Sequence, residues 1–166
     1  MRVPIRKGGK YTFIQTDPHL TQAKFDELSR KLSWLKKIGQ PRAIVEVQRL
    51  AELGDFSENA AYQIAKGKLR GINQKIFDLE DHLKKAIIIS QPTSGGFVRL
   101  GSTVTVEING RSRTFQILGS TETNPGGGVI SHNSPIGAAV MDRRVGDTVK
   151  VSLANGKVDC RIIQIN

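Results

Sequence analysis

The chain has 166 residues, enough for one ordinary domain or two small ones. It carries 25 lysines and arginines against 15 acidic residues, and the formal net charge of +10 favours a polyanionic partner while also serving solubility. The single cysteine, Cys160, excludes an internal disulfide, and no stretch reaches the roughly 20 apolar residues that span a bilayer. Met1-Arg2-Val3-Pro4 leads into no apolar signal segment, so a soluble cytoplasmic protein without membrane association is expected.

Residues 1–18 carry Arg2, Arg6, Lys7 and Lys10 around Gly8-Gly9 with no periodicity, and read as a basic arm, either functional or a disordered tail. Thr21 is a suitable N-cap for a first long helix, in which Phe25, Leu28, Leu32 and Leu35 form an apolar seam. Trp34, beside that seam, reads as a packing residue. Pro41 predicts a kink over residues 37–41, after which Ile44, Val47 and Ala51 resume the helical pattern.

A second long helix carries Tyr62, Ala65, Leu69, Ile72, Ile76, Leu79 and Leu83 in an alternating 3-4 spacing. Gly67 and Gly71 each weaken it by roughly 1 kcal/mol relative to alanine. Two such helices joined by a few residues predict an antiparallel hairpin with arms about 45 Å long at 1.5 Å per residue. Such length buries little core and suggests reach, although a dimerising coiled coil also fits.

Gln91-Pro92-Thr93-Ser94-Gly95-Gly96 reads as a linker, and beyond it the apolar residues alternate as in strands. Asn109-Gly110, between Val104–Ile108 and Thr114–Leu118, and Asn155-Gly156, between Val149–Leu153 and Val158–Ile162, predict tight hairpins. Ser134 as N-cap and Pro135 at the first helical position predict a short helix to Met141. Cys160 falls in an alternating apolar run and reads as a core thiol. The expected fold class is α+β. Residues 19–91 form a long antiparallel coiled-coil hairpin with an acidic tip at 52–58, and 97–166 form a small β-rich domain with one short helix.

Between Arg49 and Lys66 there is no basic residue, while Glu52, Asp55 and Glu58 fall there. The flanking arms are basic, so the hairpin is a basic rod with an acidic point. Two readings fit Asp55 and Glu58. In one, Asp55 is the N-cap of the second helix and Glu58 completes a capping box. In the other the carboxylates complete a Mg²⁺ site whose remaining oxygen ligands come from a partner and a nucleic-acid phosphate. His19, His82 and His132 show no metal-ligand spacing with one another or with Cys160, and read as structural or surface residues.

The run Leu53-Gly54-Asp55-Phe56-Ser57-Glu58-Asn59-Ala60-Ala61-Tyr62-Gln63 resembles the tip motif of the GreA/GreB transcript cleavage factors. Leu20-Thr21 through Pro41 is similar to the family's first arm. Val129-Ile130-Ser131, Asn133-Ser134-Pro135-Ile136-Gly137 and Gly146-Asp147 are similar to its second signature. The likeness covers roughly residues 19–166. It implies an FKBP-like second domain that docks on bacterial RNA polymerase, and a hairpin that enters the secondary channel to stimulate hydrolysis of backtracked nascent RNA. The factor would be a monomeric accessory, not a free-standing enzyme.

By the same resemblance Asp55 and Glu58 are the catalytic carboxylates, sharing Mg²⁺ with the polymerase active centre and binding none alone. Lys66, Lys68 and Arg70 would contact RNA, although a solvated helix face also fits them. Ser134, Pro135 and Ile136 would dock on polymerase, with helix capping and local packing as the plainer reading. Phe56 would wedge the tip or pack on its own hairpin. The long N-terminal arm, the high net charge and the two arm glycines depart from the family pattern. Two other readings remain: a channel-binding regulator without cleavage activity, and a free nucleic-acid binder with strongly salt-dependent affinity.

Overall fold

The computed structural model describes residues 17–54, 59–90, 96–153 and 156–166. Helix α1 spans Gln22–Trp34 and starts at Thr21, whose hydroxyl accepts the Lys24 N–H at 3.2 Å. One π-turn, Leu35–Gly39, connects it to α2, Gln40–Ala51. Pro41 accounts for this turn. It has no N–H to donate, and its ring crowds the carbonyl four residues back, so the backbone widens there. The expected kink is thus a π-turn. The Gln40 N–H closes it on the Leu35 carbonyl.

The wider turn shifts the seam. Leu28, Leu35, Ala43 and Leu50 are buried, whereas Ile44 is 39% exposed. The expected continuation through Ile44 and Ala51 is corrected to Ala43, Val47 and Leu50, because the small Ala43 faces the partner helix and the larger Ile44 does not. Trp34 packs outside the buried seam. It is 53% exposed and lies over its own helix, with a ring carbon 3.3 Å from where a Cβ on Gly39 would stand.

Helix α3 spans Ala60–Lys85 and turns the predicted seam inward, with Ala65 and Ile76 buried and Tyr62, Leu69, Ile72, Leu79 and Leu83 half-buried. It runs antiparallel to α1 and α2. Lys36 pairs with Glu80, and further toward the tip the Gln40 Nε2 donates to Asn73 Oδ1 at 2.8 Å.

The open end of the hairpin is closed by two short parallel strands, β1 His19–Leu20 and β2 Ile87–Ile88, with His19 opposite Ile87 and Leu20 opposite Ile88. Leu20 is fully buried. The Ile87 N–H donates to the Pro18 carbonyl at 2.8 Å, which ties the incoming chain to the end of α3.

The rest is a five-stranded sheet of order β5-β4-β3-β7-β6, made of β3 Thr103–Ile108, β4 Arg111–Leu118, β5 Val129–Ser131, β6 Thr148–Leu153 and β7 Gly156–Ile165. All neighbours are antiparallel except β4 and β5. Asn109 (φ 51°) and Gly110 (φ 73°) form the predicted tight turn between β3 and β4. The second hairpin forms with a different register: Gly156 lies opposite Leu153 within the ladder rather than at a turn centre, and Asn155 lies outside the described residues.

One sheet face is covered by α4, Pro135–Val140. The core collects Val98, Val104, Val106, Ile117, Ile130, Val140, Val151, Cys160 and Ile162. Cys160 is fully buried there, and burial pushes its thiol pKa up. No helix among the described residues is long and apolar enough to cross a membrane.

Candidate functional site

The hairpin tip begins where α2 ends. Gly54 adopts φ 74°, a left-handed conformation that only glycine enters without strain, and its N–H returns to the Ala51 carbonyl at 3.3 Å. Helix α3 restarts at Ala60 with Asn59 as its N-cap. The Asn59 side-chain oxygen accepts the Tyr62 N–H at 3.0 Å. Asp55 is therefore not the N-cap of this helix, and the capping-box reading of Asp55 and Glu58 is corrected to a cap by Asn59. Asp55, Phe56, Ser57 and Glu58 themselves lie outside the described residues. At the edges of this interval Leu53 and Ile64 are exposed apolar side chains.

Lys66, Lys68 and Arg70 are all exposed on α3, roughly 9 to 15 Å from its first residue at 1.5 Å per residue. They do not form one patch. Lys66 and Arg70, one turn apart, share a face, with the Lys66 ammonium 5.8 Å from the Tyr62 ring centroid. Lys68 projects to another side, close enough to Glu46 on α2 to help lower that carboxyl's pKa, after the larger effect of the Arg49 hydrogen bond.

In the sheet domain, Ser134 caps α4 by accepting the Gly137 N–H at 3.0 Å, Pro135 is exposed, and Ile136 packs against the core. Of this trio Pro135 offers the most free surface. The Gly137 backbone lies hard against the preceding loop, since a Cβ there would stand 2.1 Å from the Ser131 carbonyl oxygen.

The structure also brings together a group that sequence spacing did not. At the hairpin root, His19 Nδ1 lies 2.9 Å from Asp17 Oδ1, and His132 Nδ1 lies 3.5 Å from Asp17 Oδ2. The histidine rings meet edge to face with centroids 5.5 Å apart. Asp17 also accepts the Ser120 N–H at 2.7 Å and the His19 N–H at 3.1 Å. Burial opposes ionisation of this carboxyl, but the hydrogen bonds from Ser120 and His19 outweigh it and lower the pKa to about 2. Next to it, Thr21 donates its N–H to Glu122 Oε2 at 2.8 Å and its hydroxyl to Glu122 Oε1 at 2.5 Å. These bonds fasten the hairpin root to the sheet domain. His132 is far from His19 in sequence, so only tertiary contact brings these two histidines, read from sequence as structural or surface residues, together. His82 is a structural residue, with Nε2 3.0 Å from the Asp17 carbonyl.

Comparison with known proteins agrees with the two-part architecture. The family described as Transcription elongation factor, N-terminal (GreA/GreB) matches residues 19–88, and that described as Transcription elongation factor, GreA/GreB, C-term matches residues 92–166. Transcription elongation factor GreA of Thermomicrobium roseum is 38% identical over 148 residues, covering 88% of this chain and 95% of that protein. GreA of Macrococcus caseolyticus is 35% identical over 156 residues, covering 92% and 99%. Among solved structures, GreA factor homolog 1 of Thermus thermophilus aligns at 29% identity over 90% of this chain and 99% of its own, with a TM-score of 0.42. The chain belongs to the GreA/GreB family of transcription elongation factors.

Proposed function

We propose that this chain binds bacterial RNA polymerase in the cytoplasm, inserts its coiled-coil hairpin into the secondary channel and stimulates hydrolysis of backtracked RNA, rescuing arrested complexes. The observation that carries the reading is the cap of α3. Asn59 satisfies the helix start, so two carboxylates in the tip motif, Asp55 and Glu58, are not needed for capping.

In this account residues 97–166 are an FKBP-like docking domain whose contact edge includes Ser134, Pro135 and Ile136. A two-carboxylate, all-oxygen donor set fits Mg²⁺, and residues Asp55 and Glu58 would hold it only together with polymerase ligands. Mg²⁺ bound there supplies Lewis-acid activation of water. Asp55 orients the attacking water and Glu58 supports Asp55, while Lys66 and Arg70 hold phosphate oxygens of the displaced RNA without reading bases. Polymerase carries the rest of the catalytic apparatus, so the chain acts as an accessory.

The insertion is testable by proximity. Leu53→Cys can be labelled selectively with a photoreactive crosslinker, because Cys160 is fully buried. In a backtracked polymerase complex the label is expected to reach the RNA 3′ segment or the catalytic centre. Crosslinks confined to the outer polymerase surface would sink the proposal.

A further inference from the structure

We propose that Asp17, His19 and His132 form a site for one divalent transition-metal ion of the zinc class, placed where the hairpin root meets the sheet domain. The donor set is two imidazoles and one carboxylate, which suits zinc or cobalt and is poorly matched to Mg²⁺ with its preference for oxygen alone. The ligand atoms lie within 4.8 Å of one another. His19 Nδ1 lies 2.9 Å from one Asp17 oxygen, Oδ1, and His132 Nδ1 lies 3.5 Å from the other, Oδ2, each near the edge of about 3.3 Å expected for a tetrahedron with zinc–ligand bonds of about 2.0 Å.

The ligands are held by the fold. Strand β1 fixes His19 beside the fully buried Leu20. The His132 N–H donates to the Leu118 carbonyl at 3.0 Å, anchoring the backbone of the third ligand. The Ser120 N–H donates to Asp17 Oδ2 and the His19 N–H to Asp17 Oδ1, so both carboxylate oxygens are oriented by backbone donors, the role that outer hydrogen bonds play around bound metals. The competing acceptor for His132 Nδ1 is the Leu118 carbonyl at 3.4 Å, a long contact that an ion would replace.

Access and consequence follow from burial. The Asp17 side chain is almost covered, while His19 and His132 remain 35% and 22% exposed, so a hydrated ion can reach the nitrogens and complete its shell with water. Bound there, the ion links two ligands that precede α1 to a third that follows β5. It cross-links the hairpin root to the sheet domain and restrains the angle at which the hairpin is presented. The site is separate from the tip carboxylates and does not depend on the proposed function.

The test uses the full chain, free of any affinity tag, titrated with Zn²⁺ by calorimetry and with Co²⁺ by visible absorption. The expected result is one ion per chain, a cobalt spectrum of low-coordinate type, and a melting temperature that rises with Zn²⁺ concentration. His19→Ala and His132→Ala each weaken Zn²⁺ binding by at least about tenfold with helical signal unchanged. His132→Cys, which keeps a zinc ligand, restores binding, and separates loss of a ligand from loss of fold. Absence of Zn²⁺ and Co²⁺ binding to the native chain overturns the proposal, as does binding that persists unchanged in both alanine variants.

Discussion

Gly119 lies so close to His19 that a Cβ on the glycine would stand 2.1 Å from the His19 carbonyl oxygen. The φ of Gly119 is an ordinary −68°, so the requirement is for space and not for backbone freedom. The same carbon would come within 3.4 Å of Asp17 Oδ2. Gly119→Ala therefore pushes the hairpin root off the sheet domain. The expected cost is about 1–3 kcal/mol, as for other overpacked contacts, read as a lowered melting temperature. An unchanged melting temperature would show that the two parts do not meet as described.

The Asp17 carboxylate should make the stability of metal-free protein sensitive to acid. Its folded pKa of about 2 lies below the ordinary 3.8, so the folded state binds fewer protons than the unfolded one. The stabilisation is present in full above about 3.8 and is lost as pH falls toward about 2. Asp17→Asn is expected to be less stable at neutral pH and to lack this acid-side component. Denaturant melts of both proteins in chelator across that window check the sign. Parallel profiles would contradict it.

Adjacent residues on α3 should behave differently. Ile76 is 8% exposed in the hairpin seam and Phe77 is 66% exposed. Ile76→Ala is expected to cost about 2–4 kcal/mol through lost burial and a cavity, and Phe77→Ala to stay within about 0.5 kcal/mol. Equal effects in chemical denaturation would mean that α3 is rotated from the orientation described.

Much of this was readable from local pattern. The α3 seam followed residue by residue from spacing, Thr21 and Ser134 from their cap chemistry, and the β3–β4 turn from Asn109-Gly110. What local pattern missed depends on more distant geometry. Proline signals a break but not its form, so the π-turn and the choice of Ala43 over Ile44 emerge only when the second helix is in place. Strands β1 and β2 are too short for any periodicity. The Asp17, His19 and His132 cluster assembles by folding a late loop onto the chain entry. Asn59 is legible in principle, since asparagine before Ala60-Ala61 is a good N-cap, but Asp55 with Glu58 three residues later also fits a capping box.

The split of the basic residues on α3 gives a further prediction. Lys66→Ala with Arg70→Ala is expected to reduce stimulation of RNA cleavage roughly tenfold at subsaturating factor, about 1.4 kcal/mol, and to flatten its dependence on salt. Lys68→Ala, directed toward Glu46, is expected to have a smaller effect. Cleavage rates at low and high ionic strength distinguish them. Equal losses from Lys68→Ala and from the double variant would argue against a shared Lys66/Arg70 face on the RNA.

The most direct measurement is RNA hydrolysis in a stalled, backtracked complex of a bacterial RNA polymerase, with native protein, Asp55→Ala and Glu58→Ala compared at matched occupancy. Because Asn59 caps α3, neither substitution should unfold the hairpin, and helical signal should be unchanged. The account predicts that native protein accelerates cleavage and that both variants bind without accelerating it, Asp55→Ala more severely. Native protein that binds the complex and leaves cleavage unchanged or slower would contradict the account, and would make the chain a channel-binding regulator instead.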